Sequence, residues 1–144
     1  MNITKQVLSI KQMQYLVNLG LDTSDATMCW IKTPKGRDVA FNDDWTGRRE
    51  SLLEPIPAYT LQDLLEKLPE FIKNPDTENS YEGLDIFPEG NDWIIHYGIC
   101  EVTRNKNLID AAYEMLCWCI GKKHIKKERR KQNEPRNKIQ RKAY

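Results

Sequence analysis

Residues 107–120 read NLIDAAYEMLCWCI. Apolar side chains recur in this stretch at helical spacing, and further ones widen the apolar stripe to almost the whole circumference. Only Asp110 and Glu114, one turn apart, form a polar seam. Because a helix this apolar must be covered on most of its sides, the stretch predicts a central core helix around which the other elements pack.

Two further helices are predicted upstream of this stretch. Ser9 opens a capping box before a helix over about residues 10–19. Thr60 caps a second helix, in which apolar residues recur at helical spacing as far as Ile72. Pro69 is expected to end or bend the last turn of that helix, because proline lacks the amide hydrogen that the helix needs.

Two β-hairpins separate the predicted helices. The first covers residues 27–42 and turns at 34–36, where proline and glycine supply turn chemistry. The second covers residues 81–102 and turns at 88–91, and apolar residues on both sides of its last strand suggest that both faces are covered. The element order is therefore α-β-β-α-β-β-α. We expect a two-layer α+β domain with an antiparallel sheet of about four strands that carries helices on one face.

Charge divides the chain into two unequal parts. Residues 121–144 hold eleven of the 22 Lys and Arg residues and two of the 21 acids, which gives a net charge of +9. Residues 1–120 hold the remaining charges and have a net charge of −8, so the total of +1 conceals the difference. This pattern predicts a single globular domain over residues 1–120 and a basic C-terminal tail over residues 121–144.

The basic tail is the first candidate for a binding site. Its few apolar residues cannot offset the entropy of ordering, so the tail is expected to lack stable structure by itself. Three readings remain open: contact with nucleic acid, docking on an acidic protein partner or on the tail's own acidic body, and a plain solubilising tail. The bases that would contact a polyanion are Lys122, Lys123, Lys126, Lys127, Arg129, Arg130, Lys131, Arg136, Lys138, Arg141 and Lys142.

A second candidate is the connection over residues 43–50, which offers Trp45, Arg48 and Arg49 within five residues. Long loops inside compact domains are often functional, so a ligand or partner could bind there. The alternative, which we favour, is a surface loop whose tryptophan covers the core and whose charges pair locally.

Catalytic and metal-binding patterns are weak in this sequence. Cys117 and Cys119 are separated by one residue, which on a helix places the two thiols about 200° apart and does not fit paired zinc ligands. His96 and Cys100 would lie about 13 Å apart in an extended strand, too far for a Cys–His nucleophile. We therefore expect no cofactor, no bound metal and no enzymatic activity, and we interpret the cysteines as buried core residues.

Three segments carry a resemblance: residues 9–24, residues 57–69 and residues 107–120. They resemble stretches in short uncharacterised proteins of gut bacterial genomes, many of which lie on prophages or other mobile elements. The resemblance covers most of residues 1–120 in a patchy way and excludes the tail. It implies a bacterial or phage intracellular origin, and it implies no activity and no functional residue.

The sequence also bears on location and on the class of function. Residues 1–6 lack the pattern of a secretion signal, and no run approaches the roughly 18 apolar residues of a membrane-spanning helix. A cytoplasmic protein with reduced thiols is expected. Its function is predicted to be non-enzymatic binding of nucleic acid or another polyanion through the tail. The alternative is a protein–protein interaction module, an accessory or inhibitor factor of a mobile element. An enzyme with a site assembled from scattered residues is a third, weaker reading.

Overall fold

The computed structural model describes residues 6–41, 55–77 and 80–125. This part of the chain forms three α-helices and seven β-strands. In chain order they are α1 (Ile10–Asn18), β1 (Met28–Thr33), β2 (Gly36–Phe41), β3 (Ile56–Ala58), α2 (Leu61–Lys67), β4 (Phe71–Lys73), β5 (Tyr81–Glu89), β6 (Asp92–Tyr97), β7 (Glu101–Asn105) and α3 (Leu108–Gly121).

The first two helices begin where the sequence predicts, and both begin with a capping box. Ser9 Oγ accepts a hydrogen bond from Gln12 N at 3.1 Å, and the Gln12 side chain accepts one from Ser9 N at 2.9 Å. Thr60 and Asp63 repeat the arrangement at the start of α2. Each box satisfies amide hydrogens that the first turn of a helix cannot bond internally, so it fixes the helix start.

The strands form two antiparallel sheets. One has the order β2-β1-β3 and the other the order β4-β5-β6-β7. The α+β class is confirmed. The prediction was one sheet of about four strands made of the two hairpins, whereas the structure has two separate sheets. The short strand β3 joins the first hairpin in one sheet, and β4 and β7 join the second hairpin in the other.

Strand β4 occupies a segment that the apolar spacing assigned to the second helix. The helix ends at Lys67, and Leu68 has φ −72° and ψ 132°. A residue that precedes proline is driven out of the helical region by the proline ring, so Leu68 is extended and the helix ends at Lys67, two residues before Pro69. Ile72 is buried as expected, but it is buried from a strand that pairs with β5.

The predicted long strand over residues 92–102 is divided by a turn. Strand β6 ends at Tyr97, Gly98 has φ +50°, and Cys100 N donates to Tyr97 O at 2.8 Å. The chain then returns as β7, antiparallel to β6. Glycine permits this positive φ, which other residues adopt only at a cost. The separation of about 13 Å expected between His96 and Cys100 holds only for one extended strand. Because the chain turns between these two residues, that expectation is wrong.

Helix α3 lies at the centre of the larger core, as its apolar circumference predicts. It packs against α2, β6 and β7. Tyr59 and Tyr97 are fully buried in the same cluster, and Thr103 Oγ1 in β7 donates to Ala111 O at 3.0 Å, so this buried hydroxyl is satisfied. The buried residues of the helix are Ala111, Ala112, Met115, Leu116, Cys119 and Ile120.

Truncation of Leu116 tests this arrangement. Its side chain is 0% exposed, so Leu116→Ala removes buried methyl groups and leaves a cavity. We expect the free energy of unfolding to fall by about 2–5 kcal/mol, measured by urea unfolding followed by circular dichroism. Val17→Ala on α1, where the side chain is 51% exposed, is the control and should change stability by less than about 0.5 kcal/mol. Equal effects of the two substitutions would contradict a core built around α3.

Candidate functional site

The junction between the folded body and the tail has a defined geometry. Helix α3 runs through Gly121, and Lys123 then adopts the left-handed conformation with φ +65°. Lys123 N donates to Ile120 O at 3.1 Å, and His124 N donates to Cys119 O at 2.8 Å. These two bonds form a Schellman motif, which closes a helix by satisfying its last carbonyl groups.

Side chains beyond the motif attach this junction to the core. The His124 ring lies 5.1 Å from the Trp118 ring between centroids, and Trp118 stacks on Tyr97 at 6.5 Å. Ile125 also packs against the core cluster. Partial burial, followed by the charge of Lys122, lowers the pKa of His124, so its ring is favoured in the neutral form at pH 7. The chain therefore leaves the body from a fixed position.

The predicted tail bases divide at this junction. Lys122 and Lys123 are exposed and follow directly on the C-terminal end of α3, whose partial negative charge favours cations. The other nine predicted bases lie outside the described residues, as do Trp45, Arg48 and Arg49 of the candidate partner loop. Those nine bases are Lys126, Lys127, Arg129, Arg130, Lys131, Arg136, Lys138, Arg141 and Lys142.

The cysteines have the environment of core residues. Burial raises the pKa of the Cys117 thiol to about 11 and that of the Cys119 thiol to about 12. Both groups are therefore thiols at neutral pH, and a thiol is a poor nucleophile and a poor metal ligand compared with a thiolate. Within residues 6–41, 55–77 and 80–125, no three His, Cys, Asp or Glu side chains form a group that could hold a metal ion.

His96 has no catalytic partner among the contacts that the structure gives it. Its Nδ1 lies 3.2 Å from Gly98 O, and its Nε2 lies 3.8 Å from the carboxylate of the exposed Asp85. The ring of Phe87 meets the imidazole edge-on, with 5.5 Å between centroids. These contacts hold the ring on the outward face of the larger sheet, and they bring no nucleophile to it.

The described residues form a groove of about 800 Å³ that the sequence analysis did not predict. It lies between strands β1 and β2 and the N-terminal ends of α2 and α3. No Lys, Arg or His lines it, whereas two acids, Asp63 and Glu66, do. Its apolar lining residues are Val7, Met28, Phe41, Leu61, Leu108 and Ile109. Because they come from five separate segments, only tertiary packing brings them together.

The two acids of the groove have different roles. Asp63 joins two elements: its carboxylate accepts hydrogen bonds from Thr27 Oγ1 at 2.7 Å and from Thr27 N and Thr60 N at 3.0 Å each. Those bonds hold the start of β1 against the start of α2. Glu66 is exposed and accepts one hydrogen bond, from Gln62 Nε2 at 3.1 Å. Glu66 is therefore the acid that remains accessible to a cationic ligand.

The outward face of the larger sheet carries exposed aromatic side chains. Strand alternation places Phe71, Tyr81 and Phe87 on the side opposite α3, and all three are exposed. The same face also carries Asp85, Glu89 and Asp92. Arg104 pairs with the last two of these acids, which leaves the face without a surplus of positive charge.

No protein-family model, no curated protein and no solved structure matches this chain. None of the helices in the described residues is long and apolar enough to cross a membrane. The longest of them, α3, has 14 residues, against the roughly 20 that a bilayer requires. Charge, shape and burial are thus the observations on which a function has to be argued.

A single substitution tests the geometry of the junction. Lys123 pays about 1–2 kcal/mol for its left-handed backbone, and glycine adopts this conformation freely but loses more entropy on folding. Lys123→Gly should therefore raise the free energy of unfolding by about 0.5–1 kcal/mol in chemical denaturation. Lys122→Gly removes the same charge at φ −92° and should lower stability by up to about 1 kcal/mol. If the two variants change stability in the same direction, the Schellman motif is not formed.

Proposed function

We propose that this chain is a small non-enzymatic binding protein, cytoplasmic and of bacterial or phage origin, whose basic C-terminal tail contacts nucleic acid. The observation that carries the proposal is the separation of charge: a net charge of +9 over residues 121–144 against −8 over residues 1–120. A balanced chain of +1 has no general affinity for polyanions, whereas a separated cationic segment does.

Binding follows from the release of counterions. Each Lys or Arg side chain that neutralises a phosphate releases condensed cations from the nucleic acid, so affinity is independent of sequence and sensitive to salt. The tail supplies few rings on which bases could stack, since Tyr144 is its one aromatic residue apart from His124. Contacts would therefore be made to the backbone. The acidic side chains of the body repel phosphate and so orient the encounter.

The fixed junction supports separate roles for the tail, which binds nucleic acid, and for the folded body, which holds the tail. The Schellman motif and the His124–Trp118 contact hold the start of the tail against the core at residues 122–125. Lys122 and Lys123 therefore remain with the body, and the nine later bases follow them in the sequence. A partner bound to the tail would be held close to the body, which raises the effective concentration of any second contact.

The groove supports a second candidate, a protein–protein interaction module of a mobile element. A cavity of about 800 Å³ with an apolar floor and two acids suits a basic, amphipathic segment of a partner protein. In this case the tail docks on an acidic surface of the partner protein, and the groove binds a basic segment of that partner. Affinity would then depend on apolar burial as well as on charge, and high salt would weaken it less.

Salt titration of nucleic-acid binding tests the first candidate. Each phosphate contact on a DNA duplex contributes about −0.9 to the slope of log affinity against log salt. Replacement of Arg129, Arg130 and Lys131 by Gln in the full chain should reduce the magnitude of that slope by about 2–3, measured by fluorescence anisotropy with a labelled duplex of mixed sequence.

The control for this titration is a charge-matched variant of the body. Lys11, Lys73 and Lys106 are exposed on three different segments, and their replacement by Gln removes the same total charge. This scattered-lysine variant should keep the slope of the unaltered chain. A full chain that does not bind nucleic acid at low salt would overturn the proposal. Affinity for a host protein that persists at high salt in the tail variant would favour the second candidate.

A further inference from the structure

The tip of the first hairpin is a basic site on the acidic body. In the register of β1 and β2, Lys32 lies directly opposite Arg37, and Lys35 occupies the turn between the strands. All three side chains are exposed. Three cations therefore lie within six residues at the end of one two-stranded ribbon, in a part of the chain whose net charge is otherwise strongly negative.

The backbone of the tip holds these cations together. Thr33 Oγ1 donates to Gly36 O at 3.0 Å and accepts from Lys35 N at 3.2 Å. Gly36 has φ +124°, a conformation that residues with a side chain rarely adopt. Like charges directly opposite each other in an antiparallel pair are destabilising. None of the three cations forms a salt bridge with a described residue, so the described part of the chain does not offset that repulsion.

The face of the hairpin that carries the cations holds no acid. Residues paired across an antiparallel ladder share a face and alternate along the strand, so Lys32 and Arg37 share theirs with Trp30 and Phe41. Phe41 is 60% exposed, and Trp30 is half-buried with its indole N–H donating to Leu8 O at 2.9 Å. The acid of β2, Asp38, pairs with Ile31 and lies on the opposite face.

We propose that Lys32, Lys35 and Arg37 form a second contact site for the phosphodiester backbone of nucleic acid. This inference rests on the proposed function of the tail and names where the body itself touches the same ligand. A local surplus of three positive charges is effective despite the acidic body, because charges more than about 8 Å apart are largely screened at physiological salt. Phosphate is the complementary ligand for clustered Lys and Arg side chains.

The shape of the site favours a duplex over a single strand. A two-stranded β-ribbon is one of the elements that the major groove of DNA admits, and its flanking cations meet the phosphates on either side. On the same face of the hairpin Trp30 packs against the smaller core cluster, so Phe41 is the ring there that is exposed, and it offers limited stacking to a single strand. The hairpin and the tail belong to one chain, so a duplex long enough to reach both sites would be held by two linked contacts that strengthen each other.

The experiment compares two charge-matched variants of the full chain. The hairpin variant carries Lys32→Gln, Lys35→Gln and Arg37→Gln, and the control is the scattered-lysine variant, Lys11→Gln, Lys73→Gln and Lys106→Gln. Binding is measured by anisotropy with a labelled duplex and a labelled single strand of equal length over a series of salt concentrations. For the duplex, we expect the affinity of the hairpin variant to fall about tenfold or more at low salt. The slope of its log affinity against log salt should fall in magnitude by about 2–3, and both quantities should change little in the control.

Each outcome has a distinct meaning. Selective loss of binding by the hairpin variant, with an unchanged unfolding midpoint, supports the inference. The double variant Lys32→Arg with Lys35→Arg retains the charge and should therefore bind like the unaltered chain. Equal affinity of the hairpin variant and the control overturns the inference and leaves the proposed function intact. Failure of the unaltered chain to bind either probe overturns both. Selective loss on the single strand alone overturns the preference for a duplex.

Discussion

The burial of α3 is the constraint on which the rest of this structure depends. Six of its 14 residues are buried and only Glu114 and Gly121 are exposed, so the chain must supply apolar surface on several sides at once. Helix α2 covers one side, and strands β6 and β7 cover another. The larger sheet packs against the larger core cluster, and the smaller sheet contributes to the smaller one. Neither sheet therefore needs to extend across the whole domain.

This constraint also determines where the basic segment begins. The same helix that fills the core ends at Gly121, and its last carbonyl groups are bonded by the backbone of Lys123 and His124. Ring contacts from Tyr97 to Trp118 and from Trp118 to His124 continue the core to the surface at this point. Cations cannot follow the helix into the interior, because burying an unpaired charge is costly. The change from apolar helix to basic tail is thus a physical boundary as well as a compositional one.

Local signals in the sequence predicted much of the fold. The capping box at Ser9, the helix cap at Thr60, the turn at residues 34–36 and the apolar circumference of the last helix all act over a few residues. The missed features depend on longer range or on competition between signals. Ile72 continued the helical spacing, but Pro69 had already excluded the helix, and Gly98 interrupted an alternation that otherwise read as one strand. Pro69 and Gly98 are therefore the local signals against the longer helix and the longer strand.

The sites were less predictable than the fold. The groove assembles residues from Gln6 to Ile109, and no local pattern encodes that proximity. The basic hairpin is different, because a turn at residues 34–36 already places Lys32 opposite Arg37, and the register of the predicted hairpin could have indicated this pair. The body has a net charge of −8, although three cations lie close together in this hairpin. Net charge over a long segment hides such local clusters.

Native-state hydrogen exchange tests the central claim most directly. If burial of α3 organises the domain, the amides of Ala112 to Cys119 should exchange only through global unfolding, with the highest opening free energy in the protein. Amides in the hairpin of β1 and β2 should exchange through smaller openings. Faster exchange in α3 than in the sheets would contradict the account, because the fold would then persist while its supposed centre opened.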